Sequence, residues 1–224
     1  MNVWDAPLIK KGMTAQLAKR RARIAAGEKP LGWKVGLGAP ATMERLKLAA
    51  PIVGFLMQRG LLLSGSTASL AGYIKPVAEP EICVRMARDL PSGASADEAA
   101  AAVKEIFPAI DNLDAVLEGD IFQRHVVLCG NTRASASTSG LTSRVFRNGK
   151  EANVTTDPEA LTGKLPDIVA HVASTLAAFG EKLAAGDVII TGSITPPLVI
   201  EPDETELVHV LEPIGEVSIR FSRD

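Results

Sequence analysis

Two glutamates, Glu79 and Glu81, flank Pro80 in the segment PVAEPEI. On an extended strand, side chains two positions apart project from the same face, so we expect these two carboxylates to converge. In a low-dielectric setting such a pair is unstable unless it is protonated, paired with cations or bound to a metal ion. Because Pro80 cannot donate a hydrogen bond to a sheet, the pair is expected at a sheet edge or at the start of a strand.

A third acid, Asp111, stands among apolar neighbours in the segment FPAID. A strand, a helix and a second strand between the two segments would return Asp111 to the glutamates. Three hard oxygen ligands suit Mg²⁺ or Mn²⁺, whereas zinc prefers His or Cys. Spacing alone leaves an alternative open, in which Glu79 and Glu81 form a solvated strand edge with Lys75 and Arg85.

Lys34 lies at the centre of LGWKVGL, residues 31–37, where flanking glycines predict a strand that another backbone approaches closely. It has two interpretations. An exposed Lys34 would cover Trp33 with its aliphatic stem. A buried Lys34 would lie opposite the acids, where burial lowers its pKa and carboxylates raise it, and it would donate a proton or anchor a substrate carboxylate.

Weaker signals come from one histidine and one loop. His125 leads into an apolar strand in FQRHVVLCG, where an imidazole could move a proton near neutral pH or serve only in the structure. Thr191 and Ser193 flank Gly192 at the end of a predicted strand. That glycine would let hydroxyls and backbone approach an anionic ligand, although an ordinary turn has the same composition.

The elements that must position these side chains are short strands and a few helices. Alternation predicts a strand over residues 79–87, β-branched runs predict three strands between 187 and 221, and Asn148-Gly149 predicts a hairpin. Helices are predicted over residues 14–26, 41–50, 95–107 with a capping box from Ser95 to Glu98, and 157–183 with Asp157 as N-cap. These elements indicate an α+β chain with a helical region over residues 1–60 packed on a β-rich core over 61–224, together one structural domain.

Composition restricts the partners. The chain has 224 residues, 46% hydrophobic and 22% charged, with a net charge of −2, so neither nucleic acid nor an anionic membrane is expected to bind it. Its apolar stretches are shorter than the roughly 20 residues of a membrane span, and residues 1–11 lack a signal-peptide core, which makes the cytoplasm the expected compartment. Cys83 and Cys129 lack metal-site spacing and are expected to be buried and reduced.

Four segments carry a resemblance to a known family: GWKVGL at 32–37, PVAEPEI at 76–82, FPAID at 107–111 and AAGDVIITGS at 184–193. In order and spacing they are similar to the fumarylacetoacetate hydrolase superfamily, specifically its branch of 2-keto-4-pentenoate hydratases and 4-oxalocrotonate decarboxylases. The resemblance implies an α+β fold like that family's C-terminal domain, a mixed roll or distorted barrel of strands with N-terminal and peripheral helices. It also implies a homo-oligomer, a dimer or larger.

The resemblance further implies roles for individual residues. It assigns metal binding to Glu79, Glu81 and Asp111, catalysis to Lys34, and substrate binding to Leu37, Thr191 and Ser193. The cofactor would be Mg²⁺ or Mn²⁺, with Asp111 standing where hydratases usually have Glu, one methylene longer. His125 is our candidate for the second acid or base.

The implied activity is that of a metal-dependent lyase, a hydratase that adds water to a small 2-hydroxy-2,4-dienoate or 2-oxo acid in the catabolism of aromatic compounds. The metal would chelate the carboxylate and 2-oxo oxygens and lower the cost of forming the enol or dienol. One departure keeps alternatives open, because related hydratases carry Pro-Asp-Phe-Gly where this chain has Pro51-Ile52-Val53-Gly54. An apolar residue cannot move a proton. The alternatives are a decarboxylase of a 2-oxo-enedioate, an acylpyruvate-type C–C hydrolase, and a non-catalytic subunit that binds metal and small acids for a partner enzyme.

Overall fold

The computed structural model describes residues 3–117 and 120–224. Its helices are α1 (Pro7–Ala25), α2 (Pro40–Leu46), α3 (Ala96–Ala102) and α4 (Leu165–Ala178). Its strands are β1 (Pro30–Gly36), β2 (Ile52–Met57), β3 (Leu61–Leu63), β4 (Ser66–Ser69), β5 (Pro76–Met86), β6 (Val103–Leu117), β7 (Asp120–Leu128), β8 (Thr142–Arg147), β9 (Lys150–Thr155), β10 (Val188–Ser193), β11 (Leu198–Val199), β12 (Glu206–Glu212) and β13 (Gly215–Ser222).

The strands form two sheets. The larger runs in the order β2-β1-β10-β5-β6-β7-β3, with β11 also paired to β5, and the smaller runs β4-β13-β12-β8-β9. The larger sheet curves into a half-barrel whose ends approach each other, since a Cβ built on Gly60, just after β2, would lie 3.3 Å from the carbonyl oxygen of Arg124 on β7. The predicted α+β, strand-rich mixed roll with peripheral helices is confirmed.

Alternation along the central strand β5 sets what faces each side of this sheet. Ile82 and Val84 pack outward in the same cluster as residues of α3 and α4, whereas Cys83 packs inward. Burying each such aliphatic side chain contributes roughly 1.5–3 kcal/mol, which opposes a slip of one residue. Glu79 and Glu81 share the inward face of Cys83, and the sheet therefore turns both carboxylates into the half-barrel.

The smaller sheet covers a different part of the larger one. Val145, Leu207 and Val217 from its strands pack against Ile110 of β6 and Val127 of β7. These two residues alternate with inward-facing neighbours, so β6 and β7 are covered on one face by the second sheet and are free to present polar side chains on the other.

Three helix predictions were too long, and the helix predicted over 14–26 begins earlier, at Pro7. The helix predicted over 41–50 ends at Leu46. The capping box between Ser95 and Glu98 is present, but α3 ends at Ala102 because the β-prone residues from Val103 onward pair with β5. The helix predicted over 157–183 occupies only the range of α4. Asp157 is not its N-cap: its carboxylate accepts the Glu159 backbone N–H at 3.3 Å in the preceding turn.

The edge position expected for Pro80 was also wrong, because β5 lies inside the sheet between β10 and β6. The proline is tolerated at an interruption of the ladder, where Ser193 of β10 pairs with Glu81 and Leu198 of β11 pairs with Ala78. Its carbonyl accepts the Ile194 N–H at 2.9 Å. The missing donor therefore faces the junction between two neighbouring strands and not a continuous partner.

Other local predictions fared better. The Asn148-Gly149 turn joins β8 to β9 with positive φ at both residues, 47° and 74°, and the three strands of the tail are present. Cys83 is buried as expected, Cys129 is only partly so, and both are free thiols. β1 and β2 belong to the larger sheet, which crosses the boundary expected at residue 60. No helix in the described residues is long and apolar enough to cross a membrane.

Candidate active site

The register of β5 against β6 places Glu79 directly opposite Asp111, and Glu81 follows on the same face. One carboxylate oxygen from each of these three residues lies within 4.8 Å of the others. Glu81 is 1% exposed and Asp111 is 0% exposed, while Glu79 is partly exposed. Burial of this extent contradicts the alternative of a solvated strand edge.

Lys34 reaches this carboxylate cluster from β1 and forms an ion pair with Asp111. The lysine stem has room because Gly54 stands opposite it on β2: a Cβ there would lie 3.0 Å from the Lys34 Cγ. Lys34 is mostly buried, so the interpretation as an exposed lysine covering Trp33 was wrong. It lies opposite the acids, as the second interpretation required.

A bulge in β10 completes the cluster. Pairing of β10 with β5 is interrupted between Ile190 and Ser193, and Gly192 adopts a φ of 105° that favours glycine. Its backbone N–H donates to Oε2 of Glu81 at 2.6 Å. The bulge thus supplies a fixed hydrogen-bond donor that orients one of the three carboxylates.

The charges of the cluster do not balance, since three carboxylates face one ammonium. Burial and the charge of Asp111 raise the pKa of Glu79 to about 7, and burial with both neighbouring acids holds the pKa of Glu81 well above its usual value. Burial lowers the pKa of Lys34, but the three acids outweigh it, so the lysine stays protonated. A cluster of oxygen donors with excess negative charge fits a hard divalent cation.

A cleft of about 900 Å³ opens onto Lys34 and Glu79. One wall is a face of α1 whose residues recur every three or four positions, including Ile9, Met13 and Gln16. The Gln16 side-chain amide donates to the Val53 carbonyl at 2.6 Å and ties α1 to β2. The half-barrel therefore has the carboxylate cluster inside and a helix across part of its mouth.

Comparison with known proteins agrees with this geometry, although no protein-family model matches the chain. The chain is 29% identical over 218 residues to a 2-hydroxyhexa-2,4-dienoate hydratase of Comamonas testosteroni, covering 90% of this chain and 82% of that protein. It is 28% identical over 224 residues to a 4-oxalocrotonate decarboxylase of Pseudomonas putida, covering 93% and 83%. The structure of 4-oxalocrotonate decarboxylase from Pseudomonas putida G7, complexed with magnesium and adipate, matches with a TM-score of 0.82 at 26% identity, over 92% of this chain and 83% of that one.

In sequence and in structure the chain is similar to the hydratases and decarboxylases of the fumarylacetoacetate hydrolase superfamily. These relatives support the resemblance that its four sequence segments indicated. The inward carboxylate cluster lies where those segments meet, because GWKVGL supplies β1, PVAEPEI supplies β5, FPAID supplies β6 and AAGDVIITGS supplies β10.

The residues that the superfamily resemblance assigned to substrate binding have different surroundings. Leu37 lines the cleft with a left-handed φ of 58°. Ser193 pairs with Glu81, and its buried Oγ has no hydrogen-bond partner among the described residues. Thr191 is 4% exposed and its hydroxyl donates to the Ile82 carbonyl at 3.0 Å, so it could serve a substrate only as an acceptor, and its role stays a prediction.

His125 lines the cleft on β7, and so does Gln123, a residue that the sequence analysis did not single out. The Gln123 amide donates to the Asp111 carboxylate and, at 3.1 Å, to the His125 carbonyl. Within the part of the chain that the structure describes, Oε1 of Gln123 and Nδ1 of His125 are buried without a partner. Burial and the charge of Arg124 lower the pKa of His125. Alternation along β7 was the available signal, since Gln123 and His125 are two positions apart.

Proposed function

We propose that this chain is a divalent-metal-dependent lyase that acts on a small 2-hydroxydienoate or 2-oxo acid, with hydration as its main reaction. The observation that carries the proposal is the buried convergence of Glu79, Glu81 and Asp111 beside Lys34, at one end of a cleft. A relative named as a dienoate hydratase, similar over 90% of this chain, supports the same reaction.

Glu79, Glu81 and Asp111 would hold the cation, Mg²⁺ or Mn²⁺ by the hardness of their oxygens. When bound, such a cation supplies chelation of the carboxylate and 2-oxo oxygens of a 2-oxo acid and stabilises the negative charge that develops as its enol forms. The bound magnesium of the 4-oxalocrotonate decarboxylase structure supports this choice of metal.

Proton handling falls to two other residues. Lys34, kept protonated by the three acids, holds a proton at Nζ beside Asp111 and donates a hydrogen bond to an oxygen that gains charge. His125 lines the cleft, is kept neutral because burial lowers its pKa, and would take up or return a proton at a substrate carbon. Ile52 and Val53 line the cleft where related hydratases carry an acid, and they only exclude water.

Decarboxylation of a 2-oxo-enedioate is the second candidate. It is favoured by the similarity to a 4-oxalocrotonate decarboxylase and by that enzyme's complex with adipate, a dicarboxylate. The C–C hydrolase alternative has no specific observation in its favour. The relatives described above are named as enzymes, so the non-catalytic subunit is not carried forward. The cytoplasmic location and the homo-oligomer stay predictions, to be checked by cell fractionation and by light scattering.

The test is calorimetric titration of the chelator-stripped protein with Mg²⁺ and Mn²⁺, with oxalate as a stand-in for the 2-oxo acid head, followed by a turnover assay on a 2-hydroxydienoate. We expect metal binding that oxalate tightens, and loss of both in Glu81→Ala. Lys34→Ala is expected to retain metal binding and lose turnover. A wild-type protein that binds neither metal nor oxalate would refute the metal site, and full turnover in Lys34→Ala would refute the role of the lysine.

A further inference from the structure

The cleft has an unequal charge distribution beyond the carboxylate cluster. Its described lining contains five basic residues and a single acidic one, Glu79. The basic residues are Lys19, Arg23, Lys34, Arg59 and Arg124. A cleft of this sign attracts anions, and a substrate that carried one carboxylate would use only the cation and lysine at one end.

Two of these cations are neutralised where they stand. Lys34 is paired with Asp111 inside the site, and Arg124 is paired at 2.9 Å with Asp114, whose carboxylate is fully buried. Arg124 also lies over the Tyr73 ring, 5.1 Å from its centroid, which holds it to the wall. The positive charges of Lys34 and Arg124 are therefore largely compensated and attract a further anionic ligand only weakly.

The remaining three form one group, which we call the distal basic cluster: Lys19, Arg23 and Arg59. Lys19 and Arg23 are four residues apart on α1 and are neighbours on the helix face that lines the cleft. Arg23 is paired with Glu28 at 2.6 Å, and the charge of Arg59 also acts on Glu28. With three cations and one carboxylate, the cluster keeps a net charge of about +2. Among the described residues, Lys19 and Arg59 make no ion pair.

The distal basic cluster is separated from the metal end by the length of β2. Gly54 pairs with Lys34, and Arg59 follows five residues later, beyond the end of β2 at Met57. Residues Gln58–Gly60 form a short 3-10 helix after β2. A rise of roughly 3.3 Å per residue over three strand residues and of about 2 Å per residue over two 3-10 residues puts the Arg59 Cα about 14 Å from that of Gly54. Long basic side chains shorten this gap, so a molecule several carbons long can contact both ends.

We propose that the distal basic cluster binds a second carboxylate of the substrate, so that this chain selects 2-oxo or 2-hydroxydienoic acids with a carboxylate at each end over monocarboxylic acids of the same length. The inference rests on the proposed function, which places the first carboxylate and the 2-oxo group at the cation that Glu79, Glu81 and Asp111 would hold. Arg59 supplies the selectivity because its guanidinium can bind a carboxylate with two parallel hydrogen bonds, and Lys19 adds charge.

The test compares two saturated probes with the same head, 2-oxoadipate and 2-oxohexanoate, by calorimetry on the Mg²⁺-loaded full-length protein. We expect 2-oxoadipate to bind about tenfold more tightly, equivalent to about 1.4 kcal/mol. Arg59→Gln should bring the ratio of the two dissociation constants close to one, with the affinity for 2-oxohexanoate unchanged, and Lys19→Gln should lower the ratio partially. Higher salt should also reduce the preference, because the cluster is exposed to solvent.

Matched controls remove a like charge from the same parts of the surface. The control variants are Lys11→Gln and Arg45→Gln. Lys11 lies on α1 and Arg45 on α2, and neither residue lines the cleft. Both should keep the wild-type preference. Equal binding of the two probes to the wild type, or an unchanged preference in Arg59→Gln, would overturn this inference alone. Failure of both probes to bind the Mg²⁺-loaded protein would overturn the proposed function and this inference with it.

Discussion

Glu79 lies directly opposite Asp111 across the antiparallel pair β5–β6, and the only ammonium near them belongs, among the described residues, to Lys34. The ladder thus forces two carboxylates together that would separate in an unfolded chain. Like charges at this spacing are costly in a buried setting, and a divalent cation would relieve that cost. We therefore expect metal binding and folding stability to be coupled in this protein.

The substitution Glu81→Gln should remove the dependence of folding stability on metal binding. Without metal, burial and the neighbouring acids hold the pKa of Glu81 well above its usual value, which costs folding free energy. Replacing the acid by an amide of the same shape should remove this cost and raise the midpoint of thermal unfolding by a few degrees. The stabilisation that Mg²⁺ gives the wild type, about 2.7 kcal/mol at a hundred times the dissociation constant, should disappear. Thermal unfolding with and without Mg²⁺ measures both effects. Glu44→Gln, on the exposed face of α2, should change neither, and an Mg²⁺ response as large in Glu81→Gln as in wild type would contradict the coupling.

Gln123→Leu should weaken metal binding without touching a ligand. The amide of Gln123 holds the Asp111 carboxylate in place, and loss of such a partner typically costs 10–100-fold in metal affinity. Titration with Mg²⁺ should show a weakening of about tenfold. The matched control is Gln58→Leu, an exposed glutamine outside the cleft lining. Equal affinities in the two variants would show that Asp111 is held by Lys34 alone.

Gly32→Ala should destabilise the fold far more than Gly36→Ala on the same strand. A Cβ on Gly32 would lie 2.0 Å from the Val188 carbonyl oxygen, a backbone atom of the parallel partner β10, whereas a Cβ on Gly36 meets nothing within 4 Å. Because it pushes β1 away from β10, Gly32→Ala should lower the free energy of unfolding by about 3 kcal/mol. Gly36→Ala should lower it by less than about 1 kcal/mol. Urea unfolding gives both values. A difference below measurement error would mean that β1 does not approach β10 this closely.

His209 should make stability depend on pH. Its ring is buried between Ser143 at 3.1 Å and the Ala109 carbonyl at 3.2 Å, and burial lowers its pKa to about 4. A depressed pKa on a base means that the unfolded state binds the proton more readily, so this contribution is complete above about pH 6.5 and is lost as the pH falls towards 4. The stability advantage of wild type over His209→Gln should therefore shrink by about 2 kcal/mol between pH 7.5 and pH 4.5.

Comparison with the variant is necessary because Glu79 titrates in the same range with the opposite sign. Its raised pKa means that protonation stabilises the folded state, and this effect is common to wild type and variant. A constant difference between wild type and His209→Gln across the pH range would show that His209 is not buried as a neutral ring.

Sequence patterns predicted much of this fold because they reflect local geometry. Alternation on β5 gave the shared face of Glu79 and Glu81, and the Asn148-Gly149 turn gave its hairpin. The hydrogen bond of the Thr191 hydroxyl could not be predicted from the sequence, because it depends on the bulge that follows Ile190. Helix length was overestimated at residues 103–107 because pairing with β5, a long-range contact, overrides local helical propensity.

The distal basic cluster could not be predicted either. Arg59 and Lys19 are forty residues apart and line the same cleft only because α1 lies across β2, held in part by the hydrogen bond from Gln16 to Val53. No periodicity in the sequence reports such an arrangement, whereas the acids on paired strands follow from strand geometry.

Pro80 helps to fix the register of β5, and through it the position of Glu79 and Glu81. Its ring nitrogen faces the junction of β10 and β11, where the ladder is interrupted and a backbone donor is not required. If β5 slipped by one residue, the proline would stand against a continuous strand and both glutamates would turn away from Asp111 towards the outer layer. Pro80 takes no part in the chemistry, yet it makes unfavourable the shifted strand pairings in which the carboxylates do not come together. It therefore favours the assembly of the site while the sheet forms.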